Sequence, residues 1–178
     1  MVYEPHEDSF LLLSQLAAYC KGRVLDMGTG SGILALEAAK MSDEVIAVDK
    51  DPEAVQQLHE LVKQDGLTNV HVLQSDLFQK VHGEFDVIIF NAPYLPEDGE
   101  PDMALDGGKF GYELAVKFLR QARGHLAKDG VILLLISTLT NPEMIEKTLR
   151  GLAYAYKVID EEKLAFEKIY VYKITRTD

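Results

Sequence analysis

The chain has very little cysteine and no concentration of positive charge. Cys20 is the single cysteine among 178 residues, so no disulfide can form within the chain. Lysine and arginine total 18 against 29 aspartates and glutamates, which gives a formal net charge of −11. Because binding to nucleic acid through many phosphate contacts requires a basic surface, this charge disfavours duplex DNA or long RNA as a substrate.

Long hydrophobic runs are also absent. The longest strongly apolar stretch covers residues 131–136, which is far shorter than the roughly 20 residues that cross a bilayer. The first eight residues are acidic and lack the basic start of a secretory signal. With 47% apolar and 26% charged residues, the composition is that of an ordinary globular protein. We therefore expect a cytoplasmic protein with one domain over residues 1–178, and we identify no metal site.

Apolar runs alternate with helical patterns along the whole chain, which is typical of α/β proteins built on a mainly parallel sheet. The predicted strands are Arg23–Asp26, Glu44–Val48, Val70–Gln74, Asp86–Asn91, Val131–Ser137, Tyr154–Ile159 and Lys168–Thr175. The predicted helices are Glu7–Tyr19, Gly32–Lys40, Pro52–Asp65, Gly111–Ala127 and Pro142–Leu152. We expect the last two strands to form a hairpin around an acidic turn, Asp160–Glu162, and to add an antiparallel strand to the sheet.

A glycine-rich turn follows the first predicted strand. Asp26 ends that strand, and Gly28, Gly30 and Gly32 follow at alternate positions. In doubly wound folds, ligands bind at the carboxyl ends of the strands, where glycines let the backbone approach the ligand closely. The Gly-x-Gly-x-Gly spacing differs from the Gly-x-Gly-x-x-Gly of dinucleotide binders, so it favours a nucleoside without a pyrophosphate.

Acidic residues also follow the second and third predicted strands. Asp49 lies roughly 20 residues after Asp26, which is the spacing typical of a carboxylate that binds a ribose diol. Asp76 would accept a hydrogen bond from an adenine amino group while Leu77 packs against the ring. In S-adenosylmethionine the nucleoside carries a positively charged methionine portion, and Asp26 would lie near that portion. The N-terminal segment would fold over the cofactor and bring Ser9 close to its methionine end.

The predicted strand Asp86–Asn91 runs directly into a polar turn with the sequence Asn-Ala-Pro-Tyr. The Asn91 carboxamide oxygen would accept one N–H of a planar substrate amine, and the Ala92 backbone carbonyl would accept the other. Pro93 would fix the turn, and Tyr94 would cover the flat face of the amide or base. Asn91 would also contact the cofactor. Together with the glycine-rich turn, this motif predicts methyl transfer from S-adenosylmethionine to an amide or base nitrogen.

Four segments of the chain resemble one known family: Tyr3–Ser9, Asp26–Gly32, Asn91–Tyr94 and Ala104–Gly108. They are similar to the HemK-like release-factor glutamine methyltransferases, a branch of the Rossmann-like class I S-adenosylmethionine-dependent methyltransferases. The resemblance covers nearly the whole chain and implies a doubly wound, mostly parallel seven-stranded sheet with an antiparallel C-terminal strand. The usual family motif is Asn-Pro-Pro-Tyr. Ala92 replaces the first proline, and we expect activity to survive because only its backbone carbonyl is needed.

The resemblance also implies a substrate and a partner. Bacterial relatives carry an extra N-terminal helical domain, whereas this chain begins almost directly at the predicted cofactor segment and looks more like the archaeal and eukaryotic branch. That branch methylates the glutamine of the Gly-Gly-Gln loop in class I release factors, together with a small zinc-binding activator protein. The third strand of this fold lies at a sheet edge, so we expect the activator to add a strand to Val70–Leu73.

Two other functions stay open at this point. A methyltransferase for adenine N6 or guanine N2 in RNA or DNA would use the same type of motif, with a basic subunit supplying positive charge. A nicotinamide-dependent oxidoreductase or a nucleotide-binding module without chemistry is a more remote alternative, because the glycine spacing and the Asn91–Tyr94 turn argue against both. Binding of S-adenosylhomocysteine, and not of nicotinamide dinucleotides, would separate these classes.

Overall fold

The computed structural model describes residues 7–93 and 111–177, and for Glu7 it describes the backbone alone. The helices are α1 (Glu7–Tyr19), α2 (Ile33–Ala38), α3 (Pro52–Gln64), α4 (Glu113–Ala122) and α5 (Pro142–Gly151), with a short 3-10 helix at Thr138–Thr140. The strands are β1 (Arg23–Met27), β2 (Glu44–Asp49), β3 (Val70–Gln74), β4 (Phe85–Asn91), β5 (Leu126–Ser137), β6 (Tyr154–Lys163) and β7 (Lys168–Arg176).

The seven strands form one sheet in the order β3-β2-β1-β4-β5-β7-β6. The strands from β3 to β5 pair in parallel, whereas β7 pairs antiparallel with both β5 and β6. The strand order reverses between β1 and β4, which is the switch point where doubly wound sheets bind ligands. The predicted seven-stranded, mostly parallel fold with an antiparallel C-terminal strand is therefore confirmed. The prediction of a single domain over residues 1–178 stays a prediction.

Helices cover both faces of the sheet. Consecutive residues along a strand point to opposite sides, so each central strand contributes side chains to two cores. Residues of α1, α2 and α3 share one hydrophobic core with Val24 of β1 and with Val87 and Ile89 of β4. Residues of α4 and α5 share a second core with Leu25 of β1 and Ile88 of β4. A strand residue can therefore be assigned to a helical layer from its position in the alternation.

Local sequence explains where the helices begin. Asp51 caps α3, since its side chain accepts a hydrogen bond from the Glu53 backbone N–H at 2.9 Å, and Pro52 occupies the first turn. Asn141 caps α5 in the same way, with Pro142 following it. Proline suits the first turn because its missing N–H would have no partner within the helix. The predicted bounds of α1 are confirmed.

Strand β5 begins earlier than predicted, and the helix before it ends earlier. The prediction placed a helix through Ala127 and started the strand at Val131, but α4 ends at Ala122 and β5 begins at Leu126. Phe85 of β4 pairs with Leu126, and the next paired position on β5 is Val131. An irregular segment containing lysine, aspartate and glycine interrupts the ladder between them. These polar residues indicated a turn in the sequence, although the chain continues as one strand.

The predicted hairpin turn at Asp160–Glu162 is also wrong. These acidic residues belong to β6 and pair with residues 169–171 of β7, and the turn lies at residues 164–167. The ladder shifts register at Ile159. Because β6 is an edge strand, its charged side chains can face water, and both the charges and the irregularity protect the edge from further pairing.

The other edge of the sheet is β3, as the family resemblance implied. Its residues Val70, His71, Val72 and Leu73 carry no carboxylate or lysine that would oppose an added strand. The two edges therefore differ in charge as well as in regularity. Within residues 7–93 and 111–177, no helix is long and apolar enough to cross a membrane.

We predict that Gly32→Ala destabilises the protein more than Gly66→Ala. Both glycines have positive φ, +81° and +64°, so each alanine costs a similar backbone strain of about 1–2 kcal/mol. A Cβ atom on Gly32 would lie 2.3 Å from Leu58 Cδ1 in the core, whereas on Gly66 it would meet no described atom within 4 Å. Overpacking should add about 1–3 kcal/mol for Gly32→Ala. Urea unfolding of both variants measures the difference, and equal losses would contradict the prediction.

Candidate active site

The candidate site forms where β2, β1 and β4 end side by side. Met27 of β1 pairs with Val48 of β2 and with Phe90 of β4, so the residues that follow them lie at the same level. Those residues are Asp49, Gly28 and Asn91. The alternation along β2 and β4 places the side chains of Asp49 and Asn91 on the face covered by α1, α2 and α3, and Asp26 of β1 points to the same face. The parallel register therefore brings three of the predicted side chains to one edge and one face.

The glycine-rich turn is held against the end of β2. The Thr29 backbone N–H donates to the Val48 carbonyl at 2.9 Å, and the Gly30 N–H donates to Asp49 Oδ2 at 2.8 Å. Gly28 and Gly30 have φ of +66° and +51°, the left-handed region that glycine adopts without steric cost. The turn is thus fixed by hydrogen bonds from its own backbone to the neighbouring strand.

Asp26 is a buried acid beneath this turn. Its side chain is 1% exposed, and Oδ2 accepts a hydrogen bond from the Thr29 hydroxyl at 2.6 Å. Oδ1 is buried and completes no hydrogen bond with the described residues. Burial raises the pKa of Asp26 to about 7. The hydrogen bond from the Thr29 hydroxyl lowers this pKa, as does the Ala35 backbone N–H, whereas the nearby Asp49 charge raises it further. A buried carboxyl with an unused oxygen can receive a positively charged or hydrogen-bonding ligand group.

Asp49 has a structural task in addition to any ligand contact. Its Oδ2 accepts from the Gly30 N–H, and its Oδ1 accepts from the Asp51 N–H at 2.9 Å. Each carboxylate oxygen has a second lone pair, so a ribose diol can still be bound. The sequence predicted only the ribose contact, whereas the structure adds the link between β2 and the glycine-rich turn.

Asp76 and Leu77 lie beyond the end of β3. Asp76 Oδ2 accepts hydrogen bonds from Gln79 Nε2 at 3.1 Å and from Lys117 Nζ at 3.2 Å, so the carboxylate is already tied to α4. Leu77 has a φ of +47°, and its side chain belongs to the core shared with α4 and α5. The adenine contacts expected of these two residues stay predictions.

The Asn91 side chain is anchored to the first turn of α1. Its Nδ2 donates to Asp8 Oδ2 at 3.1 Å and lies 3.4 Å from Ser9 Oγ, both in the first turn of α1. Its Oδ1 is buried and has no hydrogen-bond partner among the described residues. Ala92 is buried in the core and Pro93 is exposed. The amide is therefore anchored through its nitrogen, and its oxygen is left as an acceptor.

Some predicted features lie outside the described residues. They are Tyr94, residues 3–6 of the N-terminal segment, and the loop Ala104–Gly108. Within the part of the chain that the structure describes, no group of three or more histidine, cysteine, aspartate or glutamate side chains could hold a metal ion. The absence of a metal site in the whole chain stays a prediction.

Sequence reasoning missed two residues of the site. Asp8 entered the sequence analysis only as part of the segment Tyr3–Ser9 that was predicted to fold over the cofactor, and Thr29 only as part of the glycine-rich turn. Asp8 and Asn91 are 83 positions apart, so no local pattern links them. The available signal was that Asp8 lies in the segment predicted to fold over the cofactor and that Asn91 ends a strand at the same predicted site.

A family model for the methyltransferase small domain matches residues 6–164. The chain belongs to the methyltransferase small-domain family. The match covers the first six strands of the sheet, including the strand ends that form the candidate site.

Two sequence relatives connect the family with protein glutamine methylation. A Methanocaldococcus jannaschii protein, provisionally named as a protein N5-glutamine methyltransferase, is 38% identical over 177 residues, covering 96% of this chain and 89% of the relative. The release factor glutamine methyltransferase of Deinococcus radiodurans is 36% identical over 136 residues, covering 70% of this chain and 49% of the relative. The chain thus spans about half the length of the second relative. The resemblance inferred from the motifs is confirmed.

A solved structure shows the same fold. It is the E. cuniculi Mtq2–Trm112 complex, responsible for the methylation of the eRF1 translation termination factor. One of its chains matches with a TM-score of 0.79 and 24% identity, covering 99% of each chain. At this identity the likeness establishes the fold alone.

We predict that Asp26→Asn becomes progressively more stable than the unmodified protein as pH rises. The pKa of Asp26 is about 7 in the folded state and ordinarily about 3.8, so its contribution to stability is complete below pH 4 and is lost as pH rises through 7. Asparagine does not titrate. The difference in unfolding free energy between the two proteins should grow by about 2–3 kcal/mol from pH 5 to pH 8. A difference that stays constant in urea unfolding across this range would show that burial does not raise this pKa.

Proposed function

We propose that this chain transfers a methyl group from S-adenosylmethionine to a glutamine side-chain nitrogen, in the Gly-Gly-Gln loop of a class I release factor. The observation that carries the proposal is the Asn91 carboxamide, whose nitrogen is held by Asp8 and whose buried oxygen has no partner among the described residues. A buried acceptor in this state suits one N–H of a planar amide. The names of the two sequence relatives support the same activity, which we place in the cytoplasm, where translation terminates.

The charges around the glycine-rich turn suit this cofactor better than a dinucleotide. The unused buried oxygen of Asp26 would suit the positively charged sulfonium or ammonium of the cofactor. The Asp49 carboxylate would accept hydrogen bonds from the ribose diol. A pyrophosphate would bring negative charge toward the same carboxylates. The residues that we assign to cofactor binding are Ser9, Asp26, Gly28, Gly30, Asp49, Asp76, Leu77 and Asn91.

The Asn91 turn would orient the nitrogen that reacts. Asn91 Oδ1 would accept one amide N–H and the Ala92 carbonyl the other, so that the nitrogen lone pair is directed toward the methyl group. Pro93 would fix the turn and Tyr94 would cover the amide plane. When bound, S-adenosylmethionine would supply the methyl group as an electrophile, and S-adenosylhomocysteine would remain once the nitrogen has taken the methyl and lost a proton. Asn91 and Tyr94 are the residues that we assign to catalysis.

We predict that the protein, with its partner present, labels a release factor from methyl-labelled S-adenosylmethionine and does not label the Gln→Ala variant of the Gly-Gly-Gln loop. Asn91→Ala should abolish the label, because the reacting nitrogen loses its acceptor, while S-adenosylhomocysteine still binds. Asn141→Ala, at the cap of α5 on the other face of the sheet, is a matched asparagine-to-alanine control that should retain full labelling. Label on neither release factor, with S-adenosylhomocysteine bound, would overturn the proposed substrate and favour adenine or guanine in RNA.

We also propose that a small zinc-binding activator protein adds a strand to β3. The strand is an edge, and beside it lies a shallow, open groove lined by Gln74 and by α3 residues that include Val55, His59 and Lys63. An added strand would pair with the backbone of β3, and the groove would receive side chains of the partner. The E. cuniculi protein of the same fold forms a complex with Trm112, which supports a partner of this kind.

The backbone of β3 indicates which N–H groups are available. The Asn69 carbonyl and the Ser75 N–H both bond to β2. The backbone N–H and C=O groups of successive residues point to alternate edges of a strand. The backbone groups of odd-numbered β3 residues therefore face β2, and those of Val70, Val72 and Gln74 point away from the sheet. Proline at one of these outward positions would leave the β2 ladder complete, because prolines are tolerated at edges with the N–H side free.

We predict that Val72→Pro prevents capture of the activator while the enzyme keeps its fold and its S-adenosylhomocysteine binding. Val72→Ala, which shortens the side chain but keeps the outward N–H, should still capture the activator. A pull-down with purified activator compares the two variants. Capture by Val72→Pro at the level of the unmodified protein would remove β3 as the pairing edge.

A further inference from the structure

We propose that Asp8 is a positioning residue that orients the Asn91 carboxamide for methyl transfer. The role deepens the proposed function and rests on it. Asp8 lies in the first turn of α1, and Asn91 ends β4, 83 residues later in the chain. Asp8 acts through Asn91 rather than on the substrate, so it sets the direction of the acceptor that the reaction uses.

Both oxygens of the Asp8 carboxylate are engaged. Oδ2 accepts from Asn91 Nδ2 at 3.1 Å, and Oδ1 accepts from the Ser9 backbone N–H at 2.7 Å. The Asp8 side chain is only 4% exposed, so water does not compete freely for these contacts. A hydrogen bond in such surroundings is stronger than the same bond at the surface.

The chemistry of the two groups fixes the orientation of the amide. A carboxylate accepts hydrogen bonds and does not donate them, so Asn91 must turn its NH₂ toward Asp8. Rotating the amide by half a turn would place Asn91 Oδ1 against Asp8 Oδ2, two acceptors facing each other. The Ser9 hydroxyl reinforces this choice, because it donates to Asp8 Oδ1 at 3.4 Å and its oxygen is left as an acceptor 3.4 Å from Nδ2. The buried Asn91 Oδ1, which has no partner among the described residues, is thus a consequence of Asp8, both directly and through the Ser9 hydroxyl that Asp8 orients.

Asp8→Asn separates this role from simple packing, because the two side chains have nearly the same shape. Asparagine offers one acceptor oxygen where the Ser9 N–H and Asn91 Nδ2 require two. The Asn91 amide then loses its partner or rotates. We expect kcat for the release factor to fall ~10-fold or more, the scale of one hydrogen bond to a charged group. KM for the release factor and Kd for S-adenosylhomocysteine should change less than ~3-fold.

Two further variants make the test specific. Asp8→Glu keeps two acceptor oxygens and should recover part of the kcat that Asp8→Asn loses. Asp86→Asn is a matched control at the opposite end of β4, where Asp86 Oδ2 accepts from the Arg23 backbone N–H at 2.8 Å. It should lower the stability of the sheet and leave kcat unchanged. A role of Asp8 in stability alone would make Asp8→Asn behave like this control.

A second measurement does not depend on the substrate. Urea unfolding of Asp8→Asn, Asn91→Ala and the double variant should show non-additive losses, because both substitutions break the same contact. Unchanged kcat in Asp8→Asn, a loss of kcat matched by weaker cofactor binding, or additive losses of stability would each overturn the role of Asp8. These outcomes leave glutamine methylation standing. Failure of the unmodified protein to label the release factor would overturn the proposed function instead, and the unfolding cycle would still decide whether Asp8 holds Asn91.

Discussion

The parallel hydrogen-bonded register of β1 with β2 and β4 is the constraint on which the candidate site depends. It brings Asp49, Gly28 and Asn91 to one level, and the two-residue alternation of side chains turns Asp26, Asp49 and Asn91 toward one helical layer. A slip of one residue in either ladder would point an apolar side chain into the site and a polar one, Asp49 or Asn91, into the core. The apolar residues before each strand end, which fill both cores, therefore also hold the polar ends in place.

Much of the fold could be predicted because strand ends in this chain are marked by chemistry. Apolar runs that stop at Asp49 or Asn91 leave little freedom in where the strand stops. The predictions went wrong where charge and strand structure coincide. The polar segment inside β5 and the acidic residues of β6 indicated turns, yet both belong to strands, because one interrupts a ladder and the other borders water. A run of charged residues indicates that the segment is exposed to water, but it does not show whether the segment pairs with a neighbouring strand.

The candidate site was predictable to the extent that its residues lie at strand ends. Asp26, Asp49 and Asn91 follow from the topology of a doubly wound sheet. Asp8 and Thr29 do not, because their importance comes from contacts across space. Asp8 depends on how α1 packs over β4, and Thr29 depends on how the glycine-rich turn folds back over Asp26. Sequence patterns identify positions, whereas the hydrogen-bond partners of those positions require the packed structure.

The difference between the two sheet edges limits what assemblies the protein can form. Sheet extension into a filament requires two compatible edges on every subunit, one to add to and one to be added. Here β6 carries charges and a register shift, whereas β3 is short, regular and free of carboxylates and lysines. Growth through strand addition therefore stops after a single event, whether the added strand comes from another protein or from a second copy. The geometry favours a closed one-to-one complex over an open polymer.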